Sequence, residues 1–159
     1  GAYGGANFDG LGLHTNFPFD RAYAAAEAFT ALLKKRSASS GFMKTLLLQR
    51  ICSSFAAGRA TAQALFDKRP IEDEDGVFPP ETLDVLTAAE ADALRTIVDE
   101  LSRPEARDHK LGAVEYFLTA HHTEGKTWLE HGCIVFSQYY DTAFWASAPR
   151  LSASRGPVL

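Results

Sequence analysis

The chain is poor in the residues that brace small secreted domains or bind metal. It has two cysteines, Cys52 and Cys133, far apart and without CxxC spacing. Two free thiols in a reducing compartment are the expectation, which argues against a disulfide scaffold and places the chain in the cytoplasm. No apolar run approaches the roughly 20 residues of a membrane span, so no membrane partner is expected. The opening "GAYGGANFDGLG" has neither the basic start nor the apolar stretch of a secretory signal. There is no GxxxxGK[ST] phosphate loop, no acidic magnesium box and no GxSxG elbow. His121, His122, His131 and Cys133 match a zinc set in residue type alone. Adjacent histidines on a helix point apart and Cys133 opens an apolar run, so no metal is expected. The acids Glu72–Asp75 lack the ligand pattern of a calcium loop.

What is present is ordinary for a folded domain. The chain has 159 residues, 46% apolar and 23% charged, enough for one domain with a core. Its net charge of −4 hides an asymmetry. Residues 34–69 carry eight basic side chains and one acid, whereas residues 70–108 carry twelve acids and three arginines. A basic block of this kind is a candidate phosphate-facing surface. The alternative is that the two blocks face each other or are solvated.

Residues 1–66 read as an irregular N-terminal segment followed by two helices. The first 19 residues, rich in glycine and aromatics and containing Pro18, show no period. Asp20 is the expected N-cap of "RAYAAAEAFTALLKKR", whose closing cations suit the negative end of its dipole. Phe42–Phe66 reads as one long helix, with Leu47, Ile51 and Phe55 at spacings of four. Its second half is nearly all small residues. Gly58 costs about 1 kcal/mol against alanine inside a helix, a cost that close packing of another helix offsets. Residues 67–81 form an acidic, proline-rich loop.

Residues 82–145 read as a helical hairpin leading into strand, turn and helix. Thr87 and Glu90 make a capping box, with Leu86 placed to staple onto Ala91. Leu94, Ile97, Val98 and Leu101 form the stripe of that helix, and Leu111, Val114, Phe117 and Leu118 the inward face of the next. "CIVF", Cys133–Phe136 after Gly132, has the composition of a strand buried on both faces. Its edges need partners, expected from the N-terminal segment or from a second copy of the chain. The expected class is therefore mainly α, a bundle of about five helices with one short buried strand. Tyr139, Tyr140, Phe144 and Trp145 are of the type that stacks on bases, though core packing is the commoner use.

"DHKLGAVEYFL", a spacer and "WLEHGCIVFSQYYDTAFW" resemble the entry into the second RecA-like lobe of superfamily-two helicases of the Swi/Snf-related type. The bacterial relatives associated with phospholipase-D-like domains are the nearest in kind. The upstream "TLLLQRICSSFAAGRATAQAL", with Arg50, Ser53 and Ser54, is similar to the helix that precedes that lobe. The likeness covers about residues 20–145. It implies an incomplete α/β RecA-like lobe and a non-catalytic fragment of an ATP-dependent helicase or translocase. Ser137 and Gln138 match the polar end of the lobe's first strand, Lys110 the lysine ahead of it, and Arg50 the preceding helix. These four are the nucleic-acid-binding candidates that the resemblance implies, with DNA or the remainder of a motor as partner. ATP and magnesium are implied only for a complete family member, since the phosphate loop and arginine motifs are missing here. The tail, residues 146–159, departs from the family: two prolines and scattered serines stand where a helix and further strands are expected. The reading from the residues alone, a helical protein–protein interaction module that self-associates, stands beside this one.

Overall fold

The computed structural model describes residues 15–38, 40–73, 76–78, 85–134 and 136. Among them, α1 (Phe17–Leu33), α2 (Ser40–Ser53) and α3 (Phe55–Phe66) precede a hairpin of β1 (Ile71–Asp73) and β2 (Gly76–Phe78). Then come α4 (Ala88–Ser102), α5 (His109–Thr119), a second hairpin of β3 (His122–Thr123) and β4 (Lys126–Thr127), and the single turn α6 (Trp128–His131). The protein is mainly α, a small helical bundle with short strands, as the sequence leads one to expect.

The first helix starts earlier than the expected Asp20. The Asn16 side chain accepts from the Phe19 N–H at 3.0 Å, and Pro18 sits in the first turn, where its missing N–H is no loss. Asp20 falls inside that turn, where an acid suits the dipole. Ala22, Ala26, Phe29 and Leu33, spaced by three and four, are fully buried.

The long helix expected over 42–66 is two helices. Ser54 is extended (φ −161°, ψ 159°), and its Oγ accepts from the Ala57 N–H at 3.0 Å, capping α3. Gly58 explains how α3 folds back. A Cβ there would lie 2.8 Å from Ile51 Cγ1, 2.9 Å from Ile51 Cα and 3.0 Å from Leu101 Cδ1. Close packing at the glycine, expected from the small-residue run, is thus against both α2 and α4.

Residues 67–81, read as a loop, contain the first hairpin, with Ile71 opposite Phe78 and Asp73 opposite Gly76. Ile71 is buried and joins the bundle core, which anchors the hairpin. The Thr87–Glu90 capping box forms as expected, with Leu86 packed at the edge of the core.

The core lies among α1–α4, where α4 packs on α1 and α3, and α2 bridges both. Two buried glutamates of α4 clamp it. Glu90 receives the Arg36 guanidinium through two bonds, 2.9 and 2.7 Å. Glu100 lies 3.0 Å from Arg21 Nε and 2.9 Å from Arg103 Nε. The Arg36–Glu90 pair joins the basic block to the acidic one. The Arg36 hydrogen bonds, backed by the Thr87 N–H, hold the Glu90 carboxyl below its ordinary value against the opposing effect of burial.

Beyond α5 the structure departs from expectation. Of the four residues assigned to its inward face, Leu118 is buried and Leu111, Val114 and Phe117 are half-buried. The expected strand at Cys133–Phe136 is not formed at the described positions. Cys133, Ile134 and Phe136 have no regular structure, and Ile134 and Phe136 are 79% and 89% exposed. Val135 and residues 1–14, the expected pairing segment, lie outside the described residues. An apolar run becomes a buried strand only where neighbours take its backbone groups. The described residues offer none there, and the strands among them are the two hairpins instead.

Candidate functional site

Helix starts leave amide N–H groups without intrahelical acceptors. Three such starts meet at one point in this chain. Asp108 is the N-cap of α5, and its Oδ1 accepts from the Lys110 and Leu111 N–H groups at 3.1 and 3.2 Å. Its Oδ2 accepts from the N–H of Phe55, the first residue of α3, at 2.8 Å. Asn16, the cap of α1, donates through Nδ2 to the Arg107 carbonyl at 2.6 Å. His109 then wedges its ring edge-on against Phe19 (centroids 5.1 Å) and Phe55 (5.9 Å). Asp108 is 6% exposed, so its bonds are sheltered from water. This junction attaches α5 to the four-helix bundle.

A cleft of about 660 Å³ opens beside it, lined by Phe55, Arg59, Arg103, Arg107, Leu111 and Glu115 among others.

The far end of α5 is built differently. Phe117 stacks on Trp128 of α6 (centroids 4.9 Å, 22° between planes) and meets His121 edge-on at 5.1 Å. The second hairpin turns through Glu124 and Gly125, both left-handed at φ 53° and 81°. Thr127 caps α6 in a capping box with Glu130, and Gly132 (φ 81°) ends it. The Thr127 N–H holds the Glu130 carboxyl below its ordinary value. Around this small unit Tyr116, Trp128 and Leu129 are 54%, 42% and 47% exposed, followed by the far more exposed Ile134 and Phe136.

The residues singled out in the sequence fall in different surroundings. Lys110 is exposed in the first turn of α5. Arg50 is 8% exposed on the core side of α2, so its guanidinium is not presented on an open surface beside Lys110. Ser54, matched with it, caps α3. Ser137, Gln138 and the aromatics Tyr139, Tyr140, Phe144 and Trp145 lie outside the described residues. Ring nitrogens of His122 and His131 bond to the carbonyls of Ala120 (2.9 Å) and Thr123 (2.8 Å). Among the described residues no three histidine, cysteine or acidic side chains form a metal-holding group. None of the described strands runs through a glycine-rich loop into a helix start. Cys52 and Cys133 are free thiols. No described helix is long and apolar enough to cross a membrane.

Sequence reasoning missed Asp108. An Asp before the helical "HKLGAV" is a local capping signal, but its bond to Phe55 spans 53 residues and has no local signature. No protein-family model, curated protein or solved structure matches this chain.

Proposed function

We propose that the chain is a non-catalytic helical interaction module that associates with a second copy of itself through the apolar end of α5–α6 and the segment after it. The observation that supports this is the exposure of Ile134 (79%) and Phe136 (89%), a few residues along the chain from the half-exposed Trp128 and Leu129. Large apolar side chains grouped on a surface mark contact sites. A segment of strand-forming residues pairs readily with its own copy where its backbone groups are not already taken. Light scattering on the eluting protein across a dilution series tests this: the mass rises toward a dimer with concentration. A constant monomer mass overturns it.

A second reading keeps the resemblance to Swi/Snf-related helicases. Here the remainder of a motor lobe covers Ile134 and Phe136, while Lys110, Ser137 and Gln138 touch the nucleic-acid backbone. The exposed Lys110 ammonium in the first turn of α5 favours it. ATP and magnesium then belong to a complete motor. Salt-dependent DNA binding, weakened in Lys110→Gln, supports this reading, since phosphate contacts release counterions. DNA affinity indistinguishable from that of an uncharged control overturns it.

A further inference from the structure

We propose that the cleft beside the Asp108 junction binds a phosphate-bearing ligand, with Arg59 and Arg107 as the cations that hold the phosphoryl group. At about 660 Å³ the cleft has the size of small-molecule sites, roughly 300–1,000 Å³. Three arginines and no lysine line it. Arg103 is held by Glu100 through Nε at 2.9 Å and Nη2 at 3.0 Å. Arg59 and Arg107 are exposed, and neither side chain has a hydrogen-bond or ion-pair partner among the described residues. The guanidinium fork matches oxyanions, and a phosphoryl group offers enough oxygens for two forks to share.

Neither acid of the cleft is paired with Arg59 or Arg107 among the described residues. Asp108 is buried, with its oxygens turned to the N–H groups of Phe55, Lys110 and Leu111. Glu115 is the remaining carboxylate in the lining. The start of α3 adds a donor. In its first turn Phe55 bonds to Asp108 and Ala57 to Ser54, while the N–H of Ala56, which lines the cleft, has no acceptor among the described residues. An open N–H at the positive end of a helix favours an anion. Phe55, Leu101, Pro104 and Leu111 supply apolar wall for the rest of the ligand. The cleft uses the first half of α5 and is separate from the apolar surface at its other end, so this inference stands apart from self-association.

The shared chemistry is the phosphoryl group, carried by a free small molecule or by single-stranded nucleic acid. Calorimetric titration of the full chain with inorganic pyrophosphate tests it, at constant ionic strength in chloride. Saturable one-to-one binding is expected, weakened about tenfold or more in Arg59→Gln/Arg107→Gln, since charge-assisted bonds are lost. Both arginines are exposed, so the variant keeps its far-ultraviolet spectrum. Glu115→Gln binds pyrophosphate more tightly, because a repelling charge is gone. No saturable binding, unchanged affinity in the double variant, or weaker binding in Glu115→Gln overturns the proposal. Titration with a short oligothymidylate separates the sources. Tighter binding than pyrophosphate, lost in the same double variant, assigns the phosphate to nucleic acid, and weaker binding assigns it to a small molecule.

Discussion

Asp108 holds two helix starts with one carboxylate, and replacing it with asparagine separates the two jobs. Asparagine keeps one acceptor oxygen and puts a donor NH2 in place of the other. If its oxygen faces Lys110 and Leu111, the NH2 opposes the Phe55 N–H, donor against donor. If it flips, Phe55 is satisfied and the two α5 amides lose their acceptor. Phe55 is 5% exposed, so water cannot readily stand in on its side. A charge-assisted bond is worth about 1.5–3 kcal/mol, and a buried donor left open costs about 1–3 kcal/mol. Asp108→Asn is therefore expected to cost about 2–3 kcal/mol. Asp108→Ala removes both acceptor oxygens and with them all three hydrogen bonds, including the N-cap of α5, itself worth about 0.5–2 kcal/mol, for a total of about 3–5 kcal/mol. Urea unfolding followed by far-ultraviolet circular dichroism measures both, with the midpoint falling and the slope kept. Amide exchange adds a local signature. In Asp108→Ala the N–H groups of Phe55, Lys110 and Leu111 all exchange faster, whereas in Asp108→Asn only one side does. An alanine variant within about 0.5 kcal/mol of the parent, below the typical cost of losing a cap alone, refutes the bridging role.

Gly58→Ala tests the close approach of α3. The added methyl meets Ile51 Cα at 2.9 Å, a backbone atom that cannot rotate away. Overpacking of about 1–3 kcal/mol outweighs the ~1 kcal/mol that alanine gains in helix propensity, so the urea midpoint falls; a rise contradicts the packing. Glu90 gives a pH dependence. Its folded carboxyl titrates lower than in the unfolded chain, so its contribution is complete above the unfolded value near 4 and is lost as pH falls through the folded one. Glu90→Gln costs about 1–3 kcal/mol at neutral pH by weakening its two charge-assisted bonds with Arg36, and it flattens the acid side of the stability curve. An equally steep acid side in the variant assigns the acid sensitivity elsewhere. Trp128→Ala removes the stack on Phe117, worth about 0.5–1.5 kcal/mol, and speeds amide exchange in α6 while leaving α1–α4 protected; uniform loss of protection contradicts a separate α5–α6 unit.

The helices were legible because their signals are local. The alanine-rich run marks α1, apolar spacing marks α4, and the Thr87–Glu90 box is written in four residues. The break at Ser54 was only half legible. Ser54 is a local cap signal inside "RICSSFAAGRA", but helix-spaced apolar residues run across it, and the bond from Asp108 to Phe55, 53 residues apart, has no local signature. Pro18 looked like an interruption because its helix begins only one residue earlier, at Phe17, with Asn16 as cap. Arg50 shows the same limit. Its place among core-facing residues of α2 follows from how α2 packs, whereas its charge alone leads one to expect it in water. The Cys133–Phe136 run has the composition of a buried strand, but burial is supplied by neighbours, and composition does not record whether they are there. The Asp108 junction shares that cause. Its cap on α5 is in the local sequence, while its reach to α3 exists only in the fold.

Sedimentation velocity on the full chain over a wide concentration series tests the central claim, self-association through the exposed apolar end, most directly. The parent protein is expected to shift from monomer toward dimer as concentration rises. Ile134→Lys/Phe136→Glu is expected to stay monomeric with an unchanged far-ultraviolet spectrum, since both side chains already face solvent. A parent that sediments as a monomer at every concentration, or a double variant that dimerises equally well, contradicts the account.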